Sequence, residues 1–162
     1  MSLTFRISTS GKAIVYAGLA AGVVATLVQL ILWYANMSPL PETLFRDMRL
    51  TAAIVMGTDV LPPPATFAWD VFLVSALIHF SLSIAYSVVL AYFITRFSAR
   101  LSLATGILYG LFIYGINMHL FTFIFPWFAV VRDWVTILTH AVFGAVLAGT
   151  YRWLRSSSWL VQ

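Results

Sequence analysis

The sequence predicts an all-α integral membrane protein, because of its composition and the length of its apolar runs. Of the 162 residues, 62% are hydrophobic and 9% are charged, whereas soluble domains carry roughly 25% charged residues. Four apolar runs are each long enough to cross a hydrocarbon core about 30 Å thick, which takes about 20 helical residues. Lipid cannot satisfy backbone N–H and C=O groups, so runs of this length must be helices. We expect one membrane domain over residues 1–162.

The predicted spans cover about 13–34, 71–94, 103–125 and 134–151. The first run is longer than the roughly 7 to 15 apolar residues of a secretory signal peptide, so we expect a retained span. The chain has no cysteine, which excludes disulfides and thiolate metal sites.

The long link between the first two spans contains a predicted amphipathic helix over about 42–56. Pro41 and Gly57 stand at its two ends, as is usual for helix boundaries. Apolar residues recur at helical spacing, whereas Arg46, Asp47 and Arg49 are expected on the polar face. These apolar residues are Leu44, Phe45, Met48, Ala52, Val55 and Met56. We expect the helix to lie on the outer membrane surface; the alternative is a partly ordered loop.

The charges predict the orientation in the membrane. One end of the bundle carries only basic residues, namely Arg6, Lys12, Arg96, Arg100, Arg152 and Arg155. The other end carries three arginines and all five acids, namely Arg46, Arg49, Arg132, Glu42, Asp47, Asp59, Asp70 and Asp133. The positive-inside rule then places both termini in the cytoplasm, in a bacterial inner membrane, with the amphipathic helix extracytoplasmic. Because the basic residues flank apolar runs and form no patch, nucleic acid is excluded as a partner.

Small residues spaced four apart predict close helix packing. They are Gly18 with Gly22, Gly106 with Gly110, and Ala141, Ala145 and Gly149 in the last span. Such spacing lets helix backbones approach where no hydrophobic effect drives association. We therefore expect a compact four-helix bundle.

Three histidines lie at similar depth in three different spans. Counted from the nearest outer boundary at 1.5 Å per residue, His79, His119 and His140 lie roughly 10 to 14 Å inside the membrane. Ser75 and Ser83 flank His79 on one helix face, and Gln29 reaches a similar depth from the first span. Ionisable groups inside a membrane are expensive, so this histidine layer is a functional-site hypothesis.

The histidine layer has several interpretations. The small residues beside each imidazole leave clearance for haem or a chlorophyll-type pigment held by an axial ligand. Three imidazoles could instead bind a divalent metal such as Zn²⁺ or copper, or form a proton relay. The plain alternative is interhelical hydrogen bonding, worth about 0.6 kcal/mol for an average pair. On a helical wheel, His119 points away from the face of Gly106 and Gly110, and so toward a partner if that face is interior.

Motifs of soluble enzymes are missing from the chain. It contains no G-x-S-x-G, H-E-x-x-H, P-loop or G-x-G-x-x-G pattern. All the acids lie at or beyond the outer end of a span. We therefore expect no catalytic residues and no enzymatic activity.

Several segments resemble the YagU-like family of bacterial inner-membrane proteins. These are "GLAAGVVATLVQ", a proline-containing outer segment, the span of His79, "GILYGLFIYGINMHLFTFIFP" and "THAVFGAVLAGTYRWLR", within about residues 17–155. The resemblance implies a four-span inner-membrane protein; one member is linked to acid resistance, and no reaction is established for the family. Where that family's first span carries a basic residue, this chain has Gln29, which argues against a mechanism that needs a charge there.

These observations favour a non-catalytic accessory or scaffold subunit of a larger inner-membrane complex. Its expected partners are the lipid bilayer and either other membrane subunits or further copies of the chain. The alternative is an intramembrane histidine site that ligates haem, pigment or metal for electron transfer or acid tolerance.

Overall fold

The computed structural model describes the backbone of residues 3–156 and the side chains of residues 11–156. Within that range the chain forms helices and no strands. The long helices are α1 (Leu3–Ala35), α2 (Glu42–Met56), α3 (Trp69–Ile94), α4 (Ala99–Gly115) and α5 (Trp134–Ser156). The side chain of Arg6, which belongs to the charge pattern above, lies outside the described residues, as do both ends of the predicted 1–162 domain.

Within the described residues, four helical segments are long and apolar enough to cross a membrane, which confirms the predicted all-α fold with four spans. They are Gly11–Ala35, Trp69–Ile94, Ala99–Phe123 and Trp134–Ser156. The third begins earlier than expected because the Ser98 hydroxyl accepts the N–H of Leu101 at 3.3 Å and caps α4. The fourth begins as expected, where Asp133 accepts the N–H of Thr136 at 2.8 Å.

The helix predicted between the first two spans is present as α2, with the expected bounds. Gly57 ends it with φ of 87°, a left-handed conformation that favours glycine, and its N–H bonds the Ala53 carbonyl at 3.1 Å. The following proline-rich loop is held against α2 by Arg49. The Arg49 guanidinium donates to the carbonyls of Thr66 at 2.9 Å and Val60 at 3.1 Å. The link is therefore an ordered part of the fold.

The spans pack in the order α3, α1, α5, α4, with few contacts between the outer pair, α3 and α4. Gly18 of α1 lies against the backbone of α3, where an added Cβ would be 2.8 Å from the Cα of Ile84. Gly106 of α4 lies against the backbone of Gly144 in α5. The glycine pairs of the first and third spans thus mark helix contacts, as predicted.

The packing prediction for the last span is wrong in one respect. Gly149 has open space where a Cβ would be, and it is exposed. Gly144, five residues earlier, makes the close approach to α4. The spacing of small residues in α5 does not by itself reveal which side of the helix meets a neighbour, because both sides carry small residues.

Two apolar clusters lie at opposite ends of the bundle. The larger one joins all four spans and consists of Ala13, Ala17, Ala21, Ala25, Leu90, Ala91, Ile94, Ile113, Phe143, Leu147, Ala148 and Tyr151. The smaller one lies beneath α2 and consists of Leu50, Met118 and Val131. The space between the two clusters is not filled by apolar side chains, and the candidate site lies there.

The third span departs from α-helical geometry at its outer end. α4 ends at Gly115 and continues as a π-helical turn, Ile116–Leu120, followed by a 3₁₀ turn, Phe121–Phe123. Arg132 donates hydrogen bonds to the Met118 carbonyl and the Thr122 hydroxyl, and so ties the loop before α5 to this irregular turn. Such π-helical turns occur frequently at functional sites.

Candidate functional site

A cavity of about 540 Å³ lies inside the bundle beneath α2. All four spans contribute to its wall, and α2 covers it with Leu44, Asp47, Met48 and Thr51. Ligand pockets in proteins measure roughly 300 to 1,000 Å³, so the cavity is of a suitable size for a small molecule. Its polar lining residues are Thr26, Gln29, Asp47, Thr51, Ser75, His79, Ser83, Tyr86, Asn117, Thr136, Thr139 and His140.

His79 lies in the cavity wall, on the face of α3 that meets α1. Its Nε2 is 3.4 Å from the Gly22 carbonyl oxygen and 3.5 Å from the Thr26 hydroxyl. Gly22 makes this approach possible, because a Cβ there would stand 3.2 Å from the same nitrogen. The small residue in α1 and the histidine in α3 are therefore complementary in shape.

His140 lies in the same wall, on α5. Its Nδ1 is 2.8 Å from the carbonyl oxygen of Thr136, one turn earlier. A carbonyl only accepts hydrogen bonds, so this contact places the hydrogen of a neutral imidazole on Nδ1 and leaves Nε2 as an acceptor. The backbone of His140 also lies against Gly110 of α4, which fixes its position.

His119 does not line the cavity. It is exposed, at the end of the π-helical turn. Tyr114 lies between it and the cavity wall, with ring centroids 5.7 Å from His119 and 5.6 Å from His140. Among the residues with described side chains, no group of three His, Asp or Glu residues is placed to hold a metal ion. The structure thus brings together two of the three predicted imidazoles.

The predicted companions of the histidines all line the cavity. Gln29 of α1 contributes an amide. Ser75 and Ser83 are buried, and their hydroxyls donate to the carbonyls of Phe72 at 3.0 Å and His79 at 2.8 Å. The polar stripe of α3 therefore faces the interior, as its spacing of four predicts.

Two residues that sequence reasoning did not select form one end of the cavity. The hydroxyl of Tyr86 in α3 donates to Oδ1 of Asn117 in the π-helical turn at 2.7 Å. The hydroxyl of Tyr109 in α4 donates to the Tyr86 carbonyl at 3.0 Å. These bonds join α3 to the third span, where the helices otherwise touch little. Asn117 could have been found from the sequence, because on a helical wheel of the third span it lies on the face of Gly106 and Gly110.

Asp47 is the third residue that was missed, and the expectation that it lies on the polar face of α2 is wrong. It lines the cavity and forms an ion pair with Arg46 at 2.8 Å. Burial raises the pKa of its carboxyl from 3.8 to about 6, opposed by Arg46 and reinforced by the negative charge of Asp133. The spacing of Leu44, Asp47 and Thr51 is the helical signal that could have placed it on the inner face.

Comparison with known proteins does not assign this chain to a family. No family model matches the chain, and neither a curated protein nor a solved structure does. The resemblance to the YagU-like family therefore stays a prediction, and function must be argued from the cavity.

Proposed function

We propose that this chain is a non-catalytic accessory or scaffold subunit of a larger inner-membrane complex, in which it holds a small ligand inside its bundle. The cavity beneath α2 carries this proposal. It is of ligand size, it is formed by all four spans, and its polar groups have defined hydrogen-bond partners. A bundle that served only as a spacer would be expected to fill this region with apolar side chains.

The hydrogen bonds of the cavity support a binding role over catalysis. A nucleophilic hydroxyl needs an adjacent base that takes its proton. Here Ser75 and Ser83 donate to backbone carbonyls, and Thr26 donates to the Gly22 carbonyl at 3.0 Å even though His79 is beside it. The carboxylate of Asp47 is engaged by Arg46. Ser75, Ser83 and Thr26 are therefore not arranged as activated nucleophiles, which supports the binding role.

The proposed setting is a bacterial inner membrane with both termini in the cytoplasm. Lys12, Arg96, Arg100, Arg152 and Arg155 lie at the end of the bundle opposite α2. The proposed partners are the bilayer and either other membrane subunits or further copies of the chain, and not nucleic acid. The exposed position of His119 supports a contact with a neighbouring protein on that side.

Site-specific photocrosslinking in the native membrane tests the accessory role. A photoreactive residue at His119, on the exposed side, should crosslink to another subunit or to a second copy. The same residue at Ala17, which is fully buried, is the matched control and should crosslink only within the chain. If the probe at His119 captures lipid alone, the chain has no protein partner on this side and the accessory role is contradicted there.

A second candidate function is favoured by one observation, that His79 and His140 line the same cavity. In this candidate the two imidazoles ligate haem or a pigment. Gently extracted protein should then show a Soret or pigment absorption band at near-stoichiometric level, and His140→Leu should abolish it. A spectrum with tryptophan and tyrosine absorption alone excludes this candidate and leaves the first in place.

A further inference from the structure

Five of the six serine and threonine hydroxyls of the cavity wall, all except that of Thr136, have already used their own hydrogens and can accept hydrogen bonds. Each of these hydroxyls donates to a backbone carbonyl of its own helix, and carbonyls only accept. The residues are Thr26, Thr51, Ser75, Ser83 and Thr139, with donor–acceptor distances of 2.8 to 3.0 Å. The oxygens of these hydroxyls can therefore accept hydrogen bonds from a ligand in the cavity.

The larger polar side chains add to this excess of acceptors. His140 presents Nε2 as an acceptor because its Nδ1 bonds the Thr136 carbonyl. The Tyr86 hydroxyl donates its hydrogen to Oδ1 of Asn117. The amide nitrogen of Asn117 therefore remains a donor for a ligand. Gln29 supplies a second amide. A ligand that matches this wall donates hydrogen bonds to it through one or more hydroxyls and can accept hydrogen bonds from the two amides.

The charges of the wall exclude charged head groups. None of the described residues that line the cavity is Lys or Arg, so an anionic phosphate would be buried without a counter-charge. Asp47 is the one carboxylate of the wall, and Arg46 already neutralises it. A cationic head group would therefore find no unpaired carboxylate in the wall. The ligand that fits is uncharged.

The wall of the cavity is partly exposed on the sides of the spans, at Val23 and Leu27 of α1 as well as near the gap between α3 and α4. α3 and α4 make few contacts with each other, and the wall residues Leu82 and Phe121 beside this gap are 38% and 37% exposed. The rest of the wall is largely apolar, with Phe72, Phe80 and Phe125 among its residues. An apolar tail can leave through this gap while a polar head stays inside.

From these observations we propose that the cavity binds an uncharged lipid whose head group carries hydroxyls, with its tail passing between α3 and α4. This inference rests on the proposed ligand-holding function and names the class of ligand. Diacylglycerols, polyprenols and isoprenoid quinols share the required chemistry. Their hydroxyls would donate to the wall hydroxyls and to His140, and the amides of Gln29 and Asn117 would donate to the head-group oxygens.

The test uses the full chain in lipid nanodiscs, with binding followed by native mass spectrometry. Three hydroxyl probes represent the possible sources: dioctanoylglycerol, a short polyprenol and a decyl-tailed benzoquinol kept reduced. Their matched comparisons are the O-methyl ether of dioctanoylglycerol, the decyl benzoquinone, dioctanoyl phosphatidic acid and a dialkyl dimethylammonium salt. The ether and the quinone retain the apolar body and remove the donor hydrogens.

We expect at least one hydroxyl probe to bind about 10-fold more tightly than its donor-free comparison. A difference of about 10-fold in Kd is the size expected for the loss of one hydrogen bond to a buried acceptor. The probe that binds most tightly identifies the source. His140→Leu should weaken binding about 5- to 10-fold, and so should Thr139→Val. The matched control Thr95→Val removes a hydroxyl with the same backbone bond, on an exposed residue outside the cavity, and should leave affinity unchanged. His119→Leu is the corresponding control for His140.

The outcomes separate this inference from the function on which it rests. If the ether, quinone, phosphatidic acid or ammonium probe binds as well as the hydroxyl probes, the ligand class is wrong and the binding function survives. If no probe binds at all, the ligand-holding function fails with it. If a hydroxyl probe binds but Thr139→Val and His140→Leu bind it as tightly as Thr95→Val does, the lipid binds elsewhere and the inference is overturned.

Discussion

Gly106 of α4 and Gly144 of α5 face each other with their backbones in contact, so that a methyl group on either would collide with the carbonyl of the other. The contact sets the separation of α4 and α5. Gly110, one turn further along α4, likewise lies against the backbone of His140. We expect Gly144→Ala to lower the free energy of unfolding by about 1 to 3 kcal/mol, the usual cost of overpacking. Thermal unfolding of the protein in detergent measures this loss.

Gly149→Ala is the matched control on the same helix. A Cβ at Gly149 meets nothing within 4 Å, so the substitution should be neutral or slightly stabilising because alanine favours helix more than glycine does. Equal loss of stability in the two variants would show that the loss does not arise from the α4–α5 contact.

The raised pKa of Asp47 predicts a pH dependence of stability. Because the carboxyl has a pKa of about 6 in the folded protein against 3.8 ordinarily, the folded state binds more protons between these values. Stability should therefore fall as pH rises from about 4 to about 6 and stay level above that. The shift of about 2 pH units corresponds to roughly 3 kcal/mol at most.

Asp47→Asn removes this titration, and the groups facing Asp47 that remain charged are Arg46 and Asp133. The variant should show a flat profile between pH 4 and 6 and should be more stable than the parent at pH 7. Asp59→Asn, at an exposed position in the next loop, is the control and should keep the parent profile. Parallel profiles for the parent and Asp47→Asn would contradict the burial of this carboxyl.

Arg132 should stabilise the irregular outer end of the third span. Its guanidinium bonds the Met118 carbonyl and the Thr122 hydroxyl, which a lysine or methionine cannot do together. We expect Arg132→Met to increase amide hydrogen exchange over residues 118–123 about 10-fold or more, because hydrogen bonds to charged groups contribute about 1.5 to 3 kcal/mol. Arg100→Met, an exposed arginine at the opposite end, should leave this exchange unchanged.

The proposed orientation can be read from single cysteines, because the natural chain contains none. Asp59→Cys, in the loop after α2, should react with a membrane-impermeant maleimide in intact cells. Ala99→Cys, at the exposed first residue of α4, should react only after the membrane is opened. The reverse pattern would place α2 in the cytoplasm and overturn the positive-inside prediction.

Much of the fold was predictable because it depends on local composition. The lengths of the apolar runs and the need to satisfy backbone groups in lipid require the spans, and the bounds of α2 follow from Pro41, Gly57 and a helical pattern between them. The inward stripe of Ser75, His79 and Ser83 was predictable for the same reason, since polar groups in a span turn away from lipid.

The candidate site was predictable only in part. A shared depth along the membrane normal follows from counting residues, but convergence requires that each helix also be rotated toward the same point. His79 and His140 are rotated toward the cavity, whereas His119 lies outside it, as its position on the helical wheel away from Gly106 and Gly110 indicated. The π-helical turn that contains His119 has no signal in the local pattern of the third span.

The sequence by itself determined that this protein has four helices long and apolar enough to cross a membrane, with a further helix between the first two, because hydrophobic length and helix punctuation are properties of contiguous residues. Only the tertiary structure decided that Gly144 and not Gly149 meets α4, that Asp47 turns inward, and that two histidines share a cavity. These outcomes depend on the rotation and register of whole helices, which contacts between distant parts of the chain determine.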